Sequence, residues 1–366
     1  MANPVYIGTF EEVMGPKIIG GDGWNAEPFV QVYDATVLVN LERLSHRKEY
    51  WLREDGVITW RVPDIREAVR APRGKKIFSA DYSQIEVKIV TWLSQDPFLL
   101  AAVRSGKDIH SYIACEIFSY NYDEFVYIKN TADHPLHKLY STIRTNIKAV
   151  VFGTIYGAGA PRIAAITKMT EEEAQDFIDK FFEKACVLKA YLDHAAVEAV
   201  ANKCSRSARG RIRSYEIPAM KDPNYRKIIG QVQRFAGNMP VQATSADLLK
   251  MAMPYFYLAL RGKAPFFESI ENNGGWAKDR VYPGAYLLLA VHDELVGECN
   301  EEDAGTNKHP GPVPQLLKLS MEYAYNELSM FIKDRDEDGH LKRTEIFIRD
   351  IPNKVDVVVN DYWSKE

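Results

Sequence analysis

The feature that most constrains this chain is a set of four side chains at every fourth position: Arg144, Lys148, Phe152 and Tyr156. On an α-helix each four-residue step turns about 400°, so the four drift only about 40° apiece and share one face. Two cations followed by two aromatic rings grade that face from charge, suited to phosphates, to flat surface, suited to a base. Such a face can hold a nucleoside triphosphate. The same spacing also describes an ordinary amphipathic helix with core aromatics and solvated cations, so the decision falls to the neighbouring segments.

Two of those segments carry carboxylates at strand ends. Lys75–Ala80 (KKIFSA) reads as a short buried strand ending at Asp81, and apolar positions from Ser83 to Leu93 follow helical spacing. Tyr286–Cys299 reads as strand, tight turn, strand, with Asp293 at the tip between His292 and Glu294. Carboxylates at two adjacent strand ends can bind a pair of divalent cations about 3.5–4 Å apart, the arrangement that supports phosphoryl transfer. Magnesium suits it, because it accepts a few carboxylates and fills its shell with phosphate oxygens and water. The plainer readings are a helix N-cap for Asp81 and a simple turn for His292–Asp293.

The remaining chain is read more coarsely. Residues 1–30, rich in glycine and proline, look like an extended arm. Gln31–Leu41 and Tyr50–Arg61 alternate like strands about a turn at Glu54–Gly56, and Asp64–Val69 suggests a short helix. Most of 97–200 has a helical pattern, punctuated by Gly106, Pro135 and the Gly157–Pro161 turn. Lys203–Arg213 is a basic loop or hairpin. Gln231–Leu260 is long and helical, and Pro240 and Pro254 are expected to kink or break it. Glu301–Pro314 and Lys333–Arg343 read as exposed loops.

Composition limits the function classes. At 366 residues, 46% hydrophobic and 26% charged, the chain can bury a large core in about two or three domains or subdomains. A net charge of −4 gives no general attraction to nucleic acid, so any such site must come from local clustering. The four cysteines are widely spaced, which suggests reduced thiols and neither a zinc site nor a disulfide scaffold. No signal peptide is visible, and the longest apolar runs are too short to span a bilayer, so a cytoplasmic setting is expected with no membrane partner. A zinc site from His110, His292, Asp293 and Glu294 lacks the H-E-x-x-H spacing. A serine hydrolase lacks G-x-S-x-G, and no G-x-x-x-x-G-K loop is present to cradle phosphates.

The motifs, taken together, resemble a known family. DYSQIE at 81–86, R-x-x-x-K-x-x-x-F-G-x-x-Y-G at 144–157 and VHDE at 291–294 closely resemble motifs A, B and C of family A DNA polymerases. IREAVRAP (65–72), GKDIH (106–110), RGR (209–211), R-x-x-x-N-x-P-x-Q-x-T-x-A-D (234–247) and VDVVVNDYW (355–363) extend the match over about 65–366. Local expansions fall near 111–143, 261–285 and 301–343.

The resemblance implies an α+β fold: a right-hand polymerase palm, an antiparallel sheet with helices, plus helical fingers. It implies palm at 65–110 and 231–366, fingers at 111–230, and a possible partner-docking region at 1–64. Asp81 and Asp293, with the Tyr82 carbonyl, are the implied ligands of two Mg2+ ions, for which Mn2+ could substitute; Glu294 supports them. Arg144, Lys148 and His110 would grip the triphosphate, with Lys148 as general acid for the leaving group. Phe152, Tyr156 and Gln84 would line the nucleotide pocket. Phenylalanine at 152 implies poor use of dideoxynucleotides. Glu86 would exclude a ribose 2′-hydroxyl. Arg234, Asn238 and Gln242 would face the nascent pair, His292 the primer terminus, and Arg209 and Arg211 the duplex phosphates. The implied activity is template-directed addition of deoxynucleotides to primer–template DNA. The alternative is a non-catalytic DNA-binding or scaffold subunit that keeps the fold, which the filled catalytic positions disfavour. The family's thumb and exonuclease domain have no counterpart in the match, so a separate subunit supplying a thumb, and with it a 3′–5′ exonuclease, is expected.

Overall fold

The computed structural model describes residues 65–268, 280–335 and 341–364. The chain divides into two compact units, Met1–Arg70 and Ala71–Glu366. In the first, Ile65–Ala68 forms a single 3-10 turn. The arm expected at 1–30 and the strands expected at 31–41 and 50–61 lie outside the described residues.

The second unit begins with β1 (Lys75–Tyr82), whose Ile77, Phe78, Ser79 and Ala80 are all buried. Burial on both faces explains why this strand reads as a continuous apolar run and not as an alternation. The chain then passes through Gln84 in the left-handed region (φ 55°) into α1 (Ile85–Ser94). Gln84 is the residue flanking this helix, and no side chain caps it. Asp81 remains within β1, so the helix-cap explanation for it does not hold. Nine of the ten residues of α1 are buried, among them Glu86 and Lys88, as expected of a helix surrounded by protein.

A helical layer follows: α2 (Pro97–Arg104), α3 (Ile109–Phe118), α4 (Tyr122–Asn130), α5 (His137–Ile155), α6 (Ala160–Thr167), α7 (Glu171–Lys184) and α8 (Cys186–Asn202). Its breaks at Gly106 and Gly157 both take φ 69°, which glycine adopts without a Cβ penalty. The starts are capped by Asp96, Asp108, Asn121 and Thr170. Buried Asp96 caps two helices: one oxygen accepts from Leu99 N at 3.0 Å and the other from Leu188 N at 2.9 Å, tying the start of α2 to that of α8.

The basic segment is a hairpin, β2 (Cys204–Arg206) and β3 (Ile212–Ser214), with Arg209–Arg211 at its turn. Beyond it α9 (Tyr225–Ala259) runs 35 residues without interruption. Of the expectation that Pro240 and Pro254 kink or break it, the break does not occur. Each proline removes one N–H donor, but Val241, Leu248, Leu249, Ala252 and Phe256 are buried along the helix, and that packing holds it in one piece.

The chain closes with β4 (Tyr286–Val291), β5 (Glu294–Asn300), α10 (Glu301–Ala304), α11 (Pro312–Asn326), β6 (Ser329–Arg335), β7 (Leu341–Phe347) and β8 (Val355–Asn360). Two expected loops need correction. Residues 301–314 hold α10 and the start of α11, and 333–343 include the paired ends of β6 and β7. Charged residues hide the second hairpin from a hydrophobic pattern, although its backbone register pairs position 334 with 342.

The main sheet is antiparallel in the order β4-β5-β1-β8. Phe78 of β1 meets Phe256 of α9 edge-on at 6.0 Å, and the Tyr82 hydroxyl donates to the Met321 carbonyl of α11 at 2.7 Å. Helices thus cover this sheet in an α+β arrangement. All four cysteines are unpaired, and among the described residues no helix is long and apolar enough to cross a membrane.

Candidate active site

Sheet register brings the carboxylates together. Asp81, on central β1, lies opposite Glu294 of β5 on one side and Asp356 of β8 on the other. The β4–β5 turn consists of His292, in the left-handed region at φ 61°, and Asp293. Tyr82 N donates to the Asp293 carbonyl at 3.2 Å, which fixes this turn against the end of β1. Burial, and then the negative charge of Asp81, push the Asp293 carboxyl up to about 6. Asp293, whose ionisation burial and a neighbouring carboxylate disfavour, forms with Asp81 a donor set that a hard cation would relieve. His292 is exposed, its Nδ1 3.7 Å from Asp293 Oδ1. Glu294 is buried and accepts from Trp363 Nε1 at 2.9 Å. Among the described residues no group of three or more His, Cys, Asp or Glu forms a metal-binding cluster, so a cation here would complete its shell with other oxygens.

The face foreseen on α5 exists, and each of its residues has a distinct partner. The rings of Phe152 and Tyr156 are stacked 6.2 Å apart at 23°. Lys148 Nζ lies 5.9 Å from the Phe152 centroid. Arg144 donates through Nε and Nη2 to the two oxygens of Asp108, at 2.9 and 2.7 Å. His110 packs against Phe152 at 5.7 Å and is 2% exposed. Burial outweighs the Asp108 charge and lowers its pKa to about 4, so it is a neutral imidazole near pH 7.

Tyr156 joins the separate motifs. It flanks the C-terminus of α5, and its hydroxyl donates to Glu86 Oε2 on the first turn of α1. Burial first, then Glu86, pushes the phenol far above its ordinary value, with Gln242 of α9 acting against the shift and the Asp293 charge adding to it. Next to it, Gly157 packs on α9: a Cβ there would lie 3.2 Å from Arg234 Cα. Arg234, Asn238 and Gln242 follow one another at four-residue spacing along α9. The buried atoms Gln84 Oε1, His110 Nδ1 and Asn238 Oδ1 have no hydrogen-bond partner among protein groups.

Arg209 and Arg211 lie in the β2–β3 turn, which is bonded to α9 further along. Arg211 Nε donates to Asp247 Oδ1 at 2.8 Å, Ser207 Oγ donates to Asp247 Oδ2 at 2.6 Å, and Ala208 N donates to Thr244 Oγ1 at 3.0 Å. The T-x-A-D end of the 234–247 motif is therefore the anchor of the basic hairpin. Arg209 stays clear of it and lines an open cavity of about 430 Å³ with Lys250 and Glu327. Asp108 and Asp247 stand in the quoted motifs at 106–110 and 234–247, but those motifs assign neither a role of its own. The cap-like spacing from Asp108 to Ser111 is a further local signal for the first.

The model of DNA polymerase family A matches residues 56–364. The chain is 31% identical over 260 residues to DNA polymerase I of Caldicellulosiruptor bescii, covering 71% of this chain and 26% of that one. It is 33% identical over 261 residues to the thermostable DNA polymerase I of Thermus filiformis, with the same coverage of 71% and 26%. It thus spans about a quarter of the length of these relatives. Among solved structures, it is similar to the POL domain of Pol1 from M. smegmatis in complex with DNA primer-template and dNTP. The TM-score is 0.58 at 25% identity, covering 88% of this chain and 50% of that one. The sheet and helices accordingly have the palm-and-fingers arrangement that the motifs imply.

Proposed function

Since the chain belongs to DNA polymerase family A, we propose that it adds deoxynucleoside monophosphates to a primer 3′-hydroxyl under the direction of a template. The observation that carries this reading is that hydrogen bonds link the three motifs: the Tyr156 hydroxyl of motif B donates to Glu86 of motif A, and Tyr82 N of motif A donates to the Asp293 carbonyl of motif C. The palm is assigned to 65–110 and 231–366, the fingers to 111–230.

The donor set of Asp81, Asp293 and the Tyr82 carbonyl fits two Mg2+ or Mn2+ ions. Bound there, such ions would activate the attacking hydroxyl and stabilise the departing pyrophosphate oxygen. The chain's own groups have defined tasks. Arg144 and Lys148 neutralise triphosphate charge, and Lys148 Nζ gives its proton to the leaving group. His110 acts as a neutral hydrogen-bonding group beside the phosphates. Phe152 and Tyr156 offer flat surface to the sugar and base. Glu86 fills the space a 2′-hydroxyl requires, with Gln84 alongside. Arg234, Asn238 and Gln242 test the minor-groove edge of the new pair, where acceptors are shared between base pairs and shape can be read without sequence. His292 meets the primer terminus, Glu294 steadies the motif C turn through Trp363, and Arg209 and Arg211 contact duplex phosphates.

We also assign the rest of the DNA grip to a separate thumb-bearing subunit. Its support is the outer strand β4, which leaves Tyr286, Leu288, Leu289 and Val291 exposed at the sheet edge.

Primer extension with the purified chain, deoxynucleotides and Mg2+ tests the reading. Incorporation is expected, with loss in Asp81→Ala and Asp293→Ala while both still bind DNA in a gel shift. Unimpaired extension by both variants would overturn the metal assignment.

A further inference from the structure

Arg144 is held by a carboxylate that neither the four-residue pattern nor the metal site uses. Its Nε and Nη2 donate to the two oxygens of Asp108 at 2.9 and 2.7 Å, with both side chains about a quarter exposed (28% and 24%). A guanidinium has five N–H groups, so this bidentate pair leaves three for another anion. The paired face fixes the plane of the guanidinium, and hence the direction of the free N–H groups.

Asp108 is itself held from two sides. Its Oδ1 accepts from Ser111 N at 2.8 Å, capping α3 two residues before the first turn passes His110. Its backbone N–H donates to the hydroxyl oxygen of Tyr122, the first residue of α4, at 3.0 Å. Lys107 Nζ lies over the Tyr122 ring at 4.3 Å. One residue therefore joins the starts of α3 and α4 to the charged end of the α5 face, the first and last through its carboxylate and α4 through its backbone N–H. Helix α4 falls within the 111–143 expansion, so a segment that widens the family pattern supports the charged end of the nucleotide face.

We propose that Asp108 is a positioning residue for the nucleotide's triphosphate: it orients Arg144 toward the phosphates, and Tyr122 holds Asp108 in place. This rests on the polymerase reading above. Burial alone would raise the Asp108 carboxyl, but the hydrogen bonds from Arg144 and Ser111 hold it well below the usual carboxylate range. The pair is thus charged at any working pH. Orientation has a charge cost, since Asp108 offsets part of the Arg144 cation. The benefit is that a long, freely rotating side chain is already set when the nucleotide arrives.

Asp108→Asn tests this, because asparagine caps a helix as well as aspartate does but cannot form the charged bidentate pair. The full chain is assayed for primer extension over a range of dGTP, and for dGTP binding by calorimetry. The substitution is expected to raise KM and Kd for dGTP about tenfold, with kcat falling less than KM rises. In an Arg144→Ala background the same substitution should add nothing, since a purely structural role would add its full effect there too. Tyr122→Phe should give a smaller change of the same sign. Unchanged or tighter dGTP binding in Asp108→Asn, or full additivity with Arg144→Ala, would overturn the proposal. If the unsubstituted chain extends primers while Asp108→Asn matches it, only this inference fails. If the unsubstituted chain neither extends primers nor binds dGTP, the polymerase reading fails and this one with it.

Discussion

The hydroxyl of Tyr156 donates to the carboxylate of Glu86, so the last residue of the aromatic face on α5 is bonded to the first turn of α1. Glu86 is 8% exposed, and the bond gives its buried carboxylate oxygen a partner and holds the side chain in position.

That arrangement predicts sugar selectivity. Glu86→Ala opens the volume next to Tyr156 and should raise incorporation of ribonucleotides relative to deoxynucleotides by at least about tenfold. Competition assays with mixed nucleotides measure the ratio, and an unaltered preference would remove Glu86 from the sugar site.

Gly157 ties the end of α5 to α9. Its φ is 69° and a Cβ would come within 3.2 Å of the Arg234 backbone. Gly157→Ala should therefore cost about 1–3 kcal/mol through strain and displacement of Arg234. Thermal unfolding measures the loss. A Tm equal to that of the parent chain would mean that α9 yields at this point.

The charge state of His110 can be observed directly. Burial holds its pKa near 4, below the 6.5 of an ordinary histidine. Between those values the unfolded chain binds the proton and the folded chain does not, so stability from this group is present above about 6.5 and declines as pH falls toward 4. An NMR titration of the imidazole should show no transition between pH 7 and 5. A midpoint near 6.5 would place His110 in contact with water and restore it as a cation for phosphates.

Asp247 should control the basic hairpin from a distance. Removing its charge in Asp247→Asn leaves Arg211 without its carboxylate and weakens the hold on Ser207. Faster backbone amide exchange is expected at Ser207–Arg211, with the exchange of α1 unchanged. Equal protection in parent and variant would show that the Ala208–Thr244 bond suffices to hold the turn.

The residues whose neighbours are close in sequence were the legible ones. The α5 face follows from a four-residue period, the buried strand before Asp81 from its apolar run, and the turn at His292–Asp293 from polar residues between two strands. What escaped depended on contacts far apart in the chain. The Arg144–Asp108 pair spans 36 residues, as does Arg211–Asp247, and no periodicity reports such partners. Local rules also misled where packing overrode them. Pro240 and Pro254 sit inside a continuous helix because that helix is buried along its length, and the end of β1 meets α1 through a left-handed Gln84, where Asp81 had offered itself as a cap. The β6–β7 hairpin was missed because charges occupy positions where an apolar alternation would have announced strands.

The unbroken α9 has a mechanical meaning. At 35 residues it is about 50 Å long, and along it lie the Gly157 contact, the Asp247 anchor and the Phe256 contact with β1. It is a beam bolted to the sheet at one end, with the aromatic end of α5 resting on the other.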